Sequence, residues 1–151
     1  MEVEMWMKRQ LQCVKPRDTI RHARELMENH RINQLPVVVE GRLVGIVTDR
    51  DLRDAFPSVF DSTYPTEVRH ADPAAITVEA VMTPYVLTLS PKDSMADAAR
   101  LMRRERVGAV PVVDGNHLVG LITRSDVLDA FVSLAGNAAG SETEESKTSK
   151  L

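Results

Sequence analysis

The sequence predicts an α/β fold, α+β in the arrangement of its parts: two β-α-β-β-α units packed sheet to sheet about a pseudo-twofold axis. Three observations predict it. First, the chain repeats itself. At a constant offset of 75, residues 6–56 lie on 81–131 without a gap, matching Met7 to Met82, Pro16 to Pro91, Asp18 to Asp93, Pro36-Val37-Val38 to Pro111-Val112-Val113 and Asp54-Ala55-Phe56 to Asp129-Ala130-Phe131. Second, each copy carries apolar residues at the three-four spacing of one helical stripe, followed by two short apolar runs around a turn. Third, each copy closes on a strand that runs into a helix start: Gly45-Ile46-Val47-Thr48-Asp49-Arg50-Asp51-Leu52 and Gly120-Leu121-Ile122-Thr123-Arg124-Ser125-Asp126-Val127. A lone unit of this size buries too little apolar area to be stable. The two are therefore expected to share one core.

The elements follow in order. Leu11–Val14 and Val86–Leu89 read as short extended pieces ended by Pro16 and Pro91. Asp18-Thr19 and Asp93-Ser94 supply N-cap chemistry. The helices after them carry Ile20, Ala23, Leu26 and Met27, or Met95, Ala98, Leu101 and Met102, as one buried stripe. Turns at Asn33-Gln34 and Gly108-Ala109 lead into strands at Pro36–Val39 and Pro111–Val113. Glu40-Gly41 and Gly115-Asn116 are hairpin turns. Arg42–Val47 and His117–Ile122 are the return strands, and helices Asp49–Phe56 and Arg124–Leu134 close the units.

This divides the chain into a first repeat at 5–56, a linker at 57–80, a second repeat at 81–134 and a disordered tail at 135–151. The linker is rich in Pro57, Pro65 and Pro73, and Ile76–Met82 is apolar enough to re-enter the fold as a strand or turn. The tail from Gly136 has no apolar periodicity.

Composition bounds the function. The 151 residues carry a net charge of −3, which gives no pull toward nucleic acid or an anionic membrane. The basic run Arg100–Arg106 has no interleaved aromatics. No run approaches the roughly 20 apolar residues of a membrane span, and the N-terminus does not read as a signal peptide. The expected location is the cytoplasm. Cys13 is the single cysteine. It excludes an intrachain disulfide framework, fits a reducing compartment and reads as structural. His22, His30, His70 and His117 lack metal-ligand spacing. No activated nucleophile or acid–base pair stands out, so no enzyme is expected.

The chemistry-bearing signal is Thr48 with Asp51, repeated as Thr123 with Asp126. An N-cap Thr with an acid three residues on is a capping box. It satisfies two orphan N–H groups, and the rest can meet an anion. A plain helix start accounts for the same residues. Arg50, Arg124, Arg31, Arg104 and Arg106 lie near these helix ends, either as phosphate clamps or as solvated helix faces.

The ordered set Val81-Met82-Thr83-Pro84, Val107-Gly108-Ala109-Val110-Pro111-Val112 and Gly120–Asp126, with Ile32-Asn33-Gln34-Leu35-Pro36-Val37 and Gly45–Asp51 before it, resembles a tandem pair of CBS domains (cystathionine-β-synthase domains), a Bateman module. The likeness covers residues 5–134. The run Val47–Arg53 and the long linker look most like small bacterial pairs of the acetoin-utilisation type. The resemblance implies a regulatory site for an adenine nucleotide: AMP, ADP, ATP or S-adenosylmethionine. It gives the Asp to the ribose hydroxyls, the Thr to phosphate, and the loop before the Pro-Val strand to adenine. One cleft would then use Thr48 and Asp51 with Thr88, Gly108 and Ala109. The other would use Thr123 and Asp126 with Cys13, Asn33 and Gln34. Small Gly108-Ala109 leave more room than Asn33-Gln34, which favours the first cleft. The resemblance also implies a homodimer, a flat disc of four repeats built through the closing helices, that transmits occupancy to a partner protein. The apolar Val127, Leu128, Phe131 and Leu134 fit such an interface. The alternative is a ligand-free dimerisation scaffold.

Overall fold

A computed structural model describes residues 1–55 and 75–148. Each repeat follows the expected order except at its start, where the leading extended piece makes only an isolated parallel bridge, Val14 with Val37 and Leu89 with Val112. Helix α1 (Ile20–His30) leads to strands β1 (Gln34–Val39) and β2 (Arg42–Thr48) and helix α2 (Asp49–Ala55). Helix α3 (Val78–Val81) precedes α4 (Met95–Glu105), β3 (Ala109–Asp114), β4 (His117–Thr123) and α5 (Arg124–Thr148). The linker between 57 and 74, and Phe56 with it, lies outside the described residues.

Local chemistry explains the boundaries. Thr19 caps α1 by accepting the His22 N–H at 3.1 Å, and Ser94 caps α4 by accepting the Asp97 N–H at 3.0 Å. The neighbouring acids do something else. Asp18 Oδ2 accepts from Lys15 N and Asp93 Oδ2 from Ser90 N, both at 2.8 Å, so each closes the turn that precedes its helix. Both helices end on a left-handed arginine, Arg31 at φ 53° and Arg106 at φ 57°. The first hairpin turns through Glu40 and Gly41, both left-handed, the pattern of a type I′ turn.

The strands pair antiparallel in the order β1-β2-β4-β3. The two hairpins carry the same irregularity, between Val37 and Val38 and between Val112 and Val113. They meet at one residue pair, Arg42 with His117. The pseudo-twofold is visible in the bridges: Val14 with Val37 matches Leu89 with Val112, and Ile46 with Thr83 matches Lys8 with Leu121.

Those last bridges correct the expected boundaries and the expected single core. Each repeat is completed by the segment that leads into the other one. Val3 and Met7 pack among Leu89, Met95, Ala98, Met102, Val110, Val112 and Ile122 of the second repeat. Val78 packs among Val14, Ile20, Ala23, Met27, Leu35, Val37, Val47 and Leu52 of the first, with Met82 against them. The result is two clusters, one per half. The backbone fixes the exchange: Lys8 and Leu121 trade N–H···O bonds at 2.9 Å, and Thr83 and Ile46 do so at 2.8 and 3.0 Å. Gly120 and Gly45 make room for this crossing. A Cβ at Gly120 would fall on the Met7 thioether, and one at Gly45 would stand 2.6 Å from Met82 Sδ. Burial of a valine such as Val3 or Val78, both fully enclosed, stabilises the fold by about 1.5–3 kcal/mol.

Of the strand or turn expected at Ile76–Met82, the structure takes the turn, as the short helix α3. One further expectation changes. Helix α5 continues through Thr148, past Leu134, where an irregular tail is expected from 135. Ala135, Ala138 and Ala139 are strong helix formers, and they carry the backbone over Gly136, whose surroundings are open.

Candidate functional site

The two closing motifs fold as capping boxes. In the first, Thr48 N–H donates to Asp51 Oδ2 at 2.8 Å and Asp51 N–H to Thr48 Oγ1 at 3.1 Å. In the second, Asp126 Oδ2 accepts from Thr123 N at 2.7 Å and from Thr123 Oγ1 at 2.8 Å. One oxygen of each carboxylate is thus committed to the fold. The other oxygens differ. Among the described residues no cation lies within ion-pair distance of Asp51, whereas Lys8 Nζ stands 3.9 Å from Asp126 Oδ1. The Asp126 side chain is only 11% exposed.

Beside the first motif lies a cavity of about 590 Å³, a volume suited to a small-molecule ligand. Thr48 and Asp49 form one wall, and Gly108 and Ala109 approach from across the pseudo-twofold. Gly108 lies close under Arg124: a Cβ there would be 3.9 Å from Arg124 Nε. Thr83, Tyr85, Val86 and Leu87 close a third side.

The cavity gathers five of the anticipated ten residues: Asn33, Gln34, Thr48, Gly108 and Ala109. Asn33 and Gln34 were expected in the other cleft. They stand here because Gln34 pairs with Thr48 across β1 and β2, and the Asn33 carbonyl accepts the Asp49 N–H at 2.8 Å. Asp51 does not line the cavity; it is half-buried and bonded to Thr48, which does. Thr88 does not line the cavity. It faces a neighbouring hollow with Leu43, Val44 and Asn116, because the extended chain is held by Leu89, whose N–H donates to the Pro111 carbonyl at 3.0 Å. Cys13, Thr123 and Asp126 do not line it either. Cys13 is half-buried, and desolvation pushes its thiol above the usual range.

Four arginines reach the cavity: Arg50, Arg53, Arg106 and Arg124. Arg31 and Arg104 do not, and Arg104 pairs with Glu105 at 2.6 Å. Arg53 and Arg50 bridge to Asp49 at 3.3 Å and to Asp54 at 4.0 Å on an open helix face. Among the described residues Arg106 and Arg124 have no carboxylate partner. Both also line a groove of about 410 Å³ between α4 and α5 that ends at Leu128.

Sequence reasoning missed Arg53 and Tyr85. Arg53 is one helical turn beyond Asp49, a spacing that was there to be read. Tyr85 is 97% exposed at the cavity's edge with φ 55°, a backbone setting that an aromatic residue rarely takes. Its signal is the mismatch between repeats, where Thr83-Pro84-Tyr85 faces Lys8-Arg9-Gln10.

On α5, Val127 turns inward against the second core, while Leu128, Phe131, Val132 and Leu134 are more than half exposed. No helix among the described residues is long and apolar enough to cross a membrane. Trp6 packs against the second core.

Comparison with known proteins agrees with this architecture. The chain is similar to the structure of CBSX2, a CBS-pair protein from Arabidopsis thaliana, in complex with AMP: 29% identity, TM-score 0.75, covering 89% of this chain and 98% of that one. It is similar to a putative acetoin utilization protein from Vibrio cholerae, with 30% identity and TM-score 0.72 over 95% of this chain and 96% of that one. It is also similar to the CBS domain pair of protein MJ0100 in complex with 5′-methylthioadenosine and S-adenosyl-L-methionine, with 26% identity and TM-score 0.71 over 88% and 97%. The CBS domain model matches twice, at residues 2–58 and 78–133, and both matches begin with the exchanged segments. The chain belongs to the CBS domain family and is a tandem pair of its domains.

Proposed function

We propose that the protein is a regulatory, non-catalytic sensor of an adenine nucleotide, which binds in the cavity beside Thr48. The observation that carries this reading is the convergence of Thr48, the Gly108-Ala109 loop and four arginines on one 590 Å³ space. Each part suits a part of the ligand. Gly108 lets backbone approach a base edge. The free oxygen of Asp51 accepts ribose hydroxyls. Arg106 and Arg124, without carboxylate partners of their own among the described residues, take phosphate oxygens. Tyr85 offers an aromatic face at the edge. The nucleotide complexes of the similar pairs support the choice of ligand class. The arginines favour AMP, ADP or ATP over S-adenosylmethionine, which brings a sulfonium cation.

Occupancy has a route outward. Arg106 and Arg124 border both the cavity and the groove that ends at Leu128. The exposed apolar face of α5 is the surface through which two copies would form a cytoplasmic four-repeat disc. Movement of these arginines toward a phosphate changes what that face presents to a partner. The effect on the partner is bounded by the ligand's differential affinity for the two states.

Thermal unfolding with AMP, ADP, ATP and S-adenosylmethionine tests the reading. A ligand at about 100 times its dissociation constant adds roughly 2.7 kcal/mol, a rise of several degrees at about 2–4 °C per kcal/mol. A rise with a phosphorylated nucleotide is the expected result. No shift with any of them favours the second reading, a dimerisation scaffold. That reading has its own support: the capping hydrogen bonds alone account for both Thr/Asp pairs.

A further inference from the structure

The backbone frame around Thr123 and Asp126 repeats that around Thr48 and Asp51, and among the positions that differ one touches the carboxylate. Where Thr83 crosses β2, Lys8 crosses β4, each held by a reciprocal pair of backbone bonds. Thr83 is short and lines the open cavity. Lys8 is long, and its ammonium reaches the one oxygen of Asp126 that the capping box leaves over. Asp126 is buried, so few other partners reach that oxygen. In the first cleft the equivalent oxygen of Asp51 has no protein cation among the described residues.

We propose that Lys8 closes the second cleft: it occupies the carboxylate that a ligand's vicinal hydroxyls would need, so that each chain binds one nucleoside. This rests on the nucleotide reading above and adds which cleft is used and which residue decides it. The pairing is selective in chemistry as well as in space. An ammonium 3.9 Å from Asp126 Oδ1 is an ion pair rather than a hydrogen bond; it stands before that oxygen and offsets the charge that ribose donors would meet. Lys8 is the specificity-determining residue, and its counterpart Thr83 leaves the first cleft open.

The test exchanges the two residues. The nucleotide that raises the unfolding temperature of the wild type is titrated by calorimetry into the wild type, Lys8→Thr, Lys8→Met and Thr83→Lys. The Lys8 side chain is 55% exposed and its backbone bonds survive substitution, so the variants should unfold cooperatively. Expected are one site per chain in the wild type and a second site in Lys8→Thr, within about tenfold of the first in affinity. Lys8→Met removes the charge and keeps the stem, so it should show a weaker second site. Thr83→Lys should lose at least tenfold at the first site, because its ammonium would reach Asp51. Two sites per chain in the wild type, a single site in Lys8→Thr, or unchanged binding in Thr83→Lys overturns the proposal and leaves the sensor reading intact. Absence of binding in every protein, wild type included, overturns the sensor reading and this proposal with it.

Discussion

The two halves have nearly the same backbone and different walls. Strand lengths, bulges, caps and crossing bridges recur at the offset of 75. The difference is concentrated where the exchanged segments leave the core: Thr83, Pro84 and Tyr85 in one half, Lys8, Arg9 and Gln10 in the other. Met7 and Met82, the last residues that pack inward, are the same. The next residues are exposed, where packing no longer dictates the side chain. A duplicated fold can thus hold two sites to one geometry while giving them unequal chemistry.

The largest expected break in this symmetry is in binding. Asp51→Ala removes the ribose acceptor in the open cleft and should reduce nucleotide affinity at least about 100-fold, a loss of roughly 2.7 kcal/mol at about 1.4 kcal/mol per decade. Asp126→Ala should leave affinity within about twofold, since its cleft is already paired. Both variants lose a capping bond and should fall in stability by about 0.5–2 kcal/mol. Equal losses of affinity in the two variants would mean that both clefts bind.

A smaller and more even effect is expected at the crossing glycines. Gly120→Ala places a methyl against Met7 and within 3.0 Å of the Lys8 carbonyl; Gly45→Ala does so against Met82 and within 3.1 Å of the Thr83 carbonyl. The methionine can swing away, but the carbonyls are fixed by their bridges. Each substitution should cost about 1–3 kcal/mol, read as a fall in the unfolding midpoint of about 2–4 °C per kcal/mol. A much larger loss in only one of them would show that the two clusters are not equally dependent on their exchanged segments.

Much of this was legible in the sequence, for a physical reason. Stripes such as Ile20, Ala23 and Met27, and cap residues such as Thr19 and Ser94, act within a few residues of themselves, so their spacing states their role. The exchange of Val3 and Val78 is different. Both are merely apolar residues ahead of a repeat, and nothing local says which repeat encloses them. The same limit applies to the site. Thr48 and Gly108 were readable from the motif, but the arrival of Asn33 beside Thr48 depends on strand pairing. The turning of Thr88 into a neighbouring hollow depends on how Leu89 is anchored. The continuation of α5 shows the opposite error, in which two glycines outweighed a run of alanines.

The smallest effect sharpens the comparison at the level of single atoms. Cys13 and Thr88 occupy equivalent places, one half-buried and the other exposed. Burial pushes the Cys13 thiol upward, so little thiolate exists near pH 7. Its alkylation by iodoacetamide should be slow there and should quicken by roughly tenfold per pH unit as the thiolate forms. Thr88→Cys in a Cys13→Ser background sets a thiol at the mirror position without that desolvation, and it should react several-fold faster at pH 7. Equal rates would mean that the two walls are equally open to solvent, and the asymmetry between the clefts would then reside in Lys8 and Thr83 alone.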